Sequence, residues 1–280
     1  MPKRTRYPAG VPCWIDSARP ETEAAVAFYS GVLGWELADQ MPPGSAETYF
    51  EAKVDGGLVA AIGSWDNGVE GVGWTTYIAV DRADEAAERV RAAGGRVLVE
   101  PHDVLDAGRM AMCADPEGAT FAVWQADTHI GAEVVNAPGT WNWSNLVTAD
   151  VEAAQRFYGA VFPWEFDALE VGGETSITVV VPQYGDYLET IDPGVRARHA
   201  QGGAPPRFTD TVAWFEPLDK GGPRWHVTFS VADADEAATR ARELGGEVLV
   251  EPFDIPWQRI AVLRDPDGAT FTAGQFKPPT

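Results

Sequence analysis

Side chains that could perform chemistry are few in this chain. Its 280 residues include four His and two Cys, and Cys13 and Cys113 lack the CxxC spacing of a thiolate metal site or a disulfide framework. Phosphate loops, GxSxG and HExxH are absent. The segments GGRVLVE and GGEVLVE contain paired glycines outside any GxGxxG context, so they are interpreted as helix stops. Nucleotide binding and the common hydrolase mechanisms are therefore not indicated.

Two arginines recur at matched positions, Arg109 and Arg259, each shortly after an EPxD motif. A guanidinium at such a place can bind a ligand oxygen. It can equally pair with the acidic residue of its own motif, Asp103 or Asp254. Pairing is the favoured interpretation, and both arginines are kept as candidate ligand-binding residues.

The net charge of −21, from 21 basic and 42 acidic residues, disfavours binding to nucleic acid or to anionic membranes. Hydrophobic residues make up 45% of the chain, which is enough for cores of normal size. No apolar run reaches the roughly 18 residues of a membrane span, and the opening MPKRTRYPAG lacks the apolar stretch of a signal peptide. These features predict a cytoplasmic protein, either a two-domain monomer or a homodimer.

The sequence motifs of the helices and strands that must position these residues occur twice. The motif AAVAFYSGVLGWEL returns as AAQRFYGAVFPWEF, ADEAAERVRAAGGRVLVEPHD as ADEAATRARELGGEVLVEPFD, and DPEGATF as DPDGATF. Order and spacing are kept, so the chain contains two copies of one domain. The predicted boundaries are residues 1–127 for the first domain, 128–139 for a linker and 140–280 for the second domain.

Each copy divides again into two similar units. A strand at 11–17 precedes a helix at 21–32 with apolar residues on one face, and further strands follow. The pattern restarts with a strand at 75–80 and a helix at 83–93. The sequence thus predicts four strand–helix–three-strand units of an α+β protein. The second copy also carries extra residues at about 183–209, which are either a lid or partner contact or a flexible loop.

The paired FY…G…W helices, the ADEAA…GG…VEP segments and the DPxGA-aromatic endings together resemble the vicinal oxygen chelate superfamily of glyoxalases, bleomycin-resistance proteins and extradiol dioxygenases. The runs DAGRM and WQA…HIGA look like two-domain actinobacterial members. The resemblance covers nearly the whole chain. It implies tandem domains built from four βαβββ units, whose curved mixed sheets enclose cavities.

Metal-dependent members of that superfamily place His, Glu or Gln at four inward positions per domain. In the first copy the matching residues are Trp14, Ala60, Thr75 and Ala122, and in the second copy they are Trp143, about Val212, His226 and Thr272. A catalytic metal usually has three protein ligands of the imidazole, carboxylate or thiolate type. One imidazole and one hydroxyl do not supply them, so the sequence predicts no metal and no cofactor.

Strand alternation extends these inward positions to a predicted cavity lining, because residues i and i+2 share a face. Tryptophan and tyrosine there are suited to stacking on an aromatic ligand, although Trp14 or Trp143 can equally plug a cavity that has lost its metal. Asp16, the carboxylate among aromatics, and His226 are the candidate acids or bases; His226 can equally be a remnant ligand or a satisfied strand histidine. The lining comprises Trp14, Asp16, Thr75, Tyr77 and Trp124 in the first copy, and Trp143, Asn145, His226, Thr228 and Thr272 in the second.

These residues favour a metal-independent protein of the glyoxalase/bleomycin-resistance type that binds an aromatic or apolar metabolite or antibiotic in a Trp-lined cavity. The alternative is a metal-free lyase, isomerase or cofactor-independent oxygenase acting on a similar ligand, with Asp16 or His226 moving a proton. A metal-dependent glyoxalase or dioxygenase is the third hypothesis, and it would need ligands from the extra segment such as Asp186, Glu189 or His199.

Overall fold

The computed structural model describes residues 3–66, 68–69, 71–171, 174–218 and 221–277. The first half contains β1 (Pro12–Ala18), α1 (Glu23–Leu33), β2 (Glu36–Asp39), β3 (Tyr49–Val54), β4 (Gly57–Gly63), β5 (Thr75–Ala79), α2 (Ala83–Ala92), β6 (Arg96–Val104), β7 (Gly108–Ala114) and β8 (Thr120–Ala126). The second half contains β9 (Trp141–Thr148), α3 (Val151–Val161), β10 (Glu165–Val171), β11 (Glu174–Val180), α4 (Tyr184–Ile191), α5 (Val195–Gln201), β12 (Thr211–Pro217), β13 (Arg224–Ser230), α6 (Ala234–Glu243), β14 (Glu247–Ile255), β15 (Gln258–Arg264) and β16 (Thr270–Phe276).

These elements form two eight-stranded mixed sheets with the same order. The first runs β2-β3-β4-β1-β5-β8-β7-β6 and the second β10-β11-β12-β9-β13-β16-β15-β14. In each sheet the first strands of the two units are antiparallel neighbours, and each pairs in parallel with the last strand of its own unit. The prediction of four βαβββ units in two α+β domains is confirmed.

Each domain packs its first helix against the sheet of the other domain. Phe28 and Tyr29 of α1 lie in one core cluster with Phe229 and Phe271 of the second sheet. Phe157 and Tyr158 of α3 likewise pack against Phe121 of the first sheet. The helix-bearing faces of both sheets therefore meet in a shared core, and burying these aromatic side chains supplies much of its apolar contact.

Reciprocal hydrogen bonds join the halves through two matched tryptophans. The indole of Trp35 donates to the carbonyl of Gly139 at 2.6 Å, and that of Trp164 donates to the carbonyl of Gly10 at 2.7 Å. Both glycines have positive φ, and a Cβ on Gly139 would lie 2.5 Å from a backbone oxygen. Glycine is required at this close approach. Trp35 and Trp164, which follow the first helix in each copy, therefore share an interdomain structural role.

The extra segment at 183–209 contains α4 and α5, so it is not a structureless loop. Tyr187 of α4 donates a hydrogen bond to the carbonyl of Arg6 at 2.8 Å, and the Arg6 guanidinium lies over the Tyr187 ring. Asp210, which is buried, accepts from the backbone of Gly185 and pairs with Arg196. This segment therefore fixes the position of the residues that lead into β1. Its last residues, which include Phe208, lie near the predicted lining.

With their helix-bearing faces joined, the two sheets each leave one helix-free face. We call the one carrying Trp14, Asp16 and Tyr77 the first cup, and the one carrying Trp143, Asn145 and Thr228 the second cup. No helix in the described part of the chain is long and apolar enough to cross a membrane.

Candidate functional site

Strand register brings the predicted lining residues of each copy to one face. In the first sheet Asp16 pairs with Ala61 and Thr75, and Tyr77 pairs with Ala122. Directly paired residues share a face of a sheet. The β4 residue on the cup side is therefore Ala61, and the expectation for Ala60 was wrong by one residue.

The second sheet repeats this arrangement with different side chains. Asn145 pairs with Trp214 and His226, and Thr228 pairs with Thr272. Val212, the position expected from the sequence, lies at a register shift between β11 and β12 and packs in the core cluster with Phe215. The extra segment had loosened the alignment here, which is why Trp214 was missed.

The first cup is filled by its own aromatic side chains. Trp14 is 3% exposed, Tyr77 is 4% and Trp124 is 5%. The Trp124 indole donates to the His129 carbonyl at 2.8 Å, and the His129 ring packs edge-on against Trp14 with centroids 4.6 Å apart. The linker segment that carries His129 thus covers Trp14 on this face.

The β4–β5 connection adds a second cover to the first cup. The Trp65 ring packs against Tyr49 with centroids 5.3 Å apart, and it lies so close to Gly63 that a Cβ there would be 2.4 Å from the ring. Farther along, Gly68 lies next to Val99 of β6. The two ends of the sheet are therefore bridged across the cup.

Asp16 lies at the bottom of this closed cup. Its side chain is 3% exposed, and Oδ2 accepts a 2.6 Å hydrogen bond from the Tyr77 hydroxyl. Burial raises the pKa of Asp16 to about 7, and the Tyr77 hydrogen bond opposes that rise. The carboxyl can therefore exchange a proton near neutral pH, but the surrounding aromatics separate it from solvent.

The second cup differs at the two positions that block the first. Thr228 stands where the first copy has Tyr77, and Gly274 stands where it has Trp124. Trp143 is only half-buried, and its ring contacts Trp214 and Phe208 with centroids 6.3 and 6.1 Å away. With smaller side chains at these two positions, Trp143, Asn145 and His226 are partly exposed, whereas their counterparts in the first cup are buried.

Polar groups of the second cup are held in fixed positions. His226 hydrogen-bonds through Nε2 to the Thr272 hydroxyl at 2.9 Å. Burial lowers the pKa of His226 to about 4, so the imidazole is neutral at physiological pH. Asn145 donates from Nδ2 to Glu216 at 2.8 Å. Partial desolvation raises the pKa of Glu216 although its side chain is exposed at the rim.

The far wall of the second cup is apolar and exposed. Paired residues place Phe253 beside Ile260 and Gly274, and Ile255 beside Gln258 and Phe276. Phe276 is 70% exposed. Exposed large hydrophobic side chains gathered on one face indicate a binding surface.

The near wall of the second cup borders a cavity of about 370 Å³. It lies between β10, β11 and the end of the extra segment, with Thr178 in register with Trp214. Its volume falls in the range of small-molecule sites. Another cavity, of about 340 Å³, lies between α2 and the end of α3, away from both cups.

A divalent metal does not fit the residues of either cup. Within the described ranges no three His, Cys, Asp or Glu side chains are grouped as metal ligands. The residues considered in the extra segment have other partners: Asp186 pairs with Arg196, Glu189 accepts from the Gly194 and Arg196 backbone, and His199 bonds Thr209. Loop ligation of a metal by these residues therefore finds no geometric support.

Arg109 and Arg259 lie outside the cups. Arg109 pairs with Asp84 and Asp103, and its strand partner is Gln125 on the helix-bearing side. Arg259 pairs with Asp235 and Asp254. Both guanidiniums are therefore held in ion pairs with their own domain. Local ion pairing to the preceding helix explains why the two positions recur.

Sequence reasoning missed several residues of these faces. His129 belongs to the predicted linker, and only the tertiary fold shows that it meets Trp14. Phe208 belongs to the extra segment. Gly274 carried a usable signal, because the repeat aligns it directly with Trp124.

Each half of the chain matches a model of a known protein family. Residues 14–123 match the model described as glyoxalase/bleomycin resistance protein/dioxygenase superfamily, and residues 143–273 match a glyoxalase-like domain. The putative glyoxylase CFP32 of Mycobacterium tuberculosis is 38% identical over 277 residues, which cover 97% of each chain. The chain belongs to this glyoxalase superfamily.

A second relative of this superfamily member is the anthracycline biosynthesis protein DnrV of Streptomyces peucetius. It is 36% identical over 291 residues, which cover 98% of this chain and 96% of the relative.

Solved structures with the same fold include the Mn(II)-bound glyoxalase from Novosphingobium aromaticivorans. Its TM-score is 0.59 at 15% identity, with 95% of this chain and 82% of that chain covered. The 2,2',3-trihydroxybiphenyl 1,2-dioxygenase from Sphingomonas wittichii gives a TM-score of 0.60 at 12% identity, covering 96% and 91%. At such identities the likeness concerns the fold alone.

Proposed function

We propose that this glyoxalase-superfamily protein binds a planar aromatic small molecule in its second cup. The observation that supports the proposal is the replacement of Tyr77 and Trp124 by Thr228 and Gly274, on a face where Trp143, Trp214 and Phe253 are at least partly exposed. Apolar walls with a few fixed polar groups are typical of small-molecule sites.

The relative named for anthracycline biosynthesis supports a polycyclic ligand. Its name concerns that protein, but similarity over nearly the whole chain makes fused aromatic rings the first class to test here. Such rings are flat and apolar, and they stack well on tryptophan.

The proposal includes binding without a metal or cofactor. The four inward positions carry Trp143, Trp214, His226 and Thr272, which is a poor donor set for a divalent cation. A cytoplasmic location and the absence of nucleic-acid or membrane partners complete the proposal and agree with the charge of −21. The protein would act as a two-domain monomer or homodimer.

Isothermal titration calorimetry with 2-hydroxyanthraquinone tests this function, since the readout does not depend on the tryptophans themselves. Trp143→Leu should weaken binding by about tenfold or more through lost stacking. The matched Trp14→Leu, in the closed first cup, should leave the affinity within twofold. EDTA should not change the affinity. Equal weakening by both substitutions would place the ligand elsewhere, and loss of binding in EDTA would contradict metal independence.

A second candidate function is metal-free proton transfer, as in a lyase, an isomerase or a cofactor-independent oxygenase. It is supported by the raised pKa of Asp16, about 7, next to the Tyr77 hydroxyl. In such an enzyme Asp16 would be the acid or base, and His226 would serve the second cup. If a turned-over substrate is found, Asp16→Asn should abolish the reaction without abolishing binding; unchanged turnover would remove Asp16 from the mechanism.

A further inference from the structure

One amide oxygen in the second cup lacks the hydrogen bond that a shielded polar atom needs. Asn145 Oδ1 is removed from solvent, and in the described part of the chain it has no hydrogen-bond partner. An unsatisfied buried acceptor is costly, about 1–3 kcal/mol. Such an atom in a native fold indicates a missing donor.

The orientation of this amide is set by its other atom. Nδ2 donates to Glu216 at 2.8 Å. If the amide were flipped, Oδ1 would face the Glu216 carboxylate. An amide oxygen and an ionised carboxylate are both acceptors, so neither could donate a hydrogen bond to the other. Oδ1 is therefore the atom left for the cup.

The position of Asn145 is central on this face. It pairs with Trp214 on one neighbouring strand and with His226 on the other. His226 is already bonded to Thr272 and is neutral. A donor that reaches Asn145 therefore lies between the Trp214 ring and an uncharged imidazole.

The first copy provides an internal comparison. Asp16 occupies the equivalent position, and its Oδ1 is likewise shielded and without a partner among the described residues. Its other oxygen is taken by Tyr77, and the cup above it is closed. Both copies thus keep an unpartnered oxygen at this place, and only in the second copy is the residue that carries it partly exposed.

Resting on the proposed function, we infer that Asn145 Oδ1 accepts a hydrogen bond from a hydroxyl group on the aromatic ligand. The ligand class is then a hydroxylated polycyclic aromatic, and Asn145 is the residue that selects it over its O-alkylated or unsubstituted analogue. A site built to hydrogen-bond a hydroxyl rejects analogues that lack it, because its own polar group stays unpaired.

Calorimetry with 2-hydroxyanthraquinone and 2-methoxyanthraquinone at pH 6, where the phenol keeps its proton, tests this assignment. The native protein should prefer the hydroxy compound by about tenfold, the value of one buried hydrogen bond. Asn145→Leu should reduce that preference to within twofold while the methoxy compound still binds.

The matched control is Asn142→Leu, the same substitution three residues earlier on β9, where the side chain bonds Asn136 outside the cup. It should leave both affinities unchanged. Equal binding of the two compounds by native protein, or a preference that survives Asn145→Leu, would overturn the hydroxyl assignment and leave the binding proposal standing. Failure of both compounds to bind would overturn the proposed function itself.

Discussion

The two cups have the same strands and the same register but opposite interiors. In the first, Trp14, Tyr77 and Trp124 are almost fully buried, and His129 from the linker packs on Trp14. In the second, Thr228 and Gly274 leave the floor low, and the aromatic side chains stand at the walls. The large rings thus coincide with a buried face in the first cup, and their replacement coincides with a partly exposed face in the second.

The two cups also differ in packing. The buried rings of the first cup pack closely, since a filled interior is more stable than a void. The second cup gains less from packing, because apolar side chains such as Phe253 and Phe276 remain exposed. Keeping them exposed has a stability cost, which the proposed binding role accounts for.

The largest expected effect comes from opening the first cup. Trp124→Ala should destabilise the protein by about 3–5 kcal/mol, because a large buried ring leaves a cavity. Denaturant unfolding measures this loss. Added indole should fill the void and restore part of the stability; failure of indole to do so would mean that the cup collapses instead.

Closing the second cup is the converse change. Gly274→Trp copies the first cup, and the new Cβ meets only the Gln258 side-chain end at 3.1 Å and the Thr228 methyl at 3.3 Å. Affinity for 2-hydroxyanthraquinone should fall about 100-fold because the ring occupies the ligand's place. Gly274→Ala is the matched control and should bind within a fewfold of native. Unchanged affinity in Gly274→Trp would show that the two cups do not differ in the way described.

The buried carboxyl of the first cup gives a pH signature. The pKa of Asp16 in the folded protein is about 7, above its unfolded value, so the folded state holds the proton more tightly. Stability attributable to this group should fall as pH rises from 4 to 7. Asp16→Asn should therefore match native stability near pH 4 and exceed it at pH 8 by on the order of 2 kcal/mol. A constant difference across this range would contradict the raised pKa.

The histidine of the second cup should show the opposite dependence. Its folded pKa is about 4, below the unfolded value, so stability from this group is present above pH 6.5 and is lost as pH falls toward 4. His226→Gln should remove that loss.

Thr272→Val, which deletes the hydrogen bond to His226, should cost about 1 kcal/mol of stability at pH 7. Thermal melts at stepped pH separate the two effects.

The fold was predictable because local signals and the repeat agree. Turn glycines, alternating strands and apolar helix faces recur twice, so each unit could be identified independently. Exchange of α1 and α3 between domains was not predictable, since Phe28 and Phe157 look the same whether they bury against their own sheet or the other. The helical extra segment was also unexpected, because its composition is that of a loop.

The candidate site was predictable in part. Alternation correctly grouped Trp14 with Asp16 and Trp143 with Asn145. Register across β12 was not readable through the extra segment, so Trp214 was lost. Whether a tryptophan fills a cup or lines it depends on which residues cover it. Trp14 is covered by His129, which lies in a segment without secondary structure, so the sequence pattern could not place His129 over Trp14.

The hydrogen bonds from Trp35 to Gly139 and from Trp164 to Gly10 have an evolutionary consequence. Because each half completes the interior of the other, a substitution on the joined faces must suit two partners at once. The outward, helix-free faces are not constrained by such a partner domain. Substitutions there can accumulate in one copy without disturbing the other, so a duplicated unit can diverge on its outward face while its inward face stays fixed.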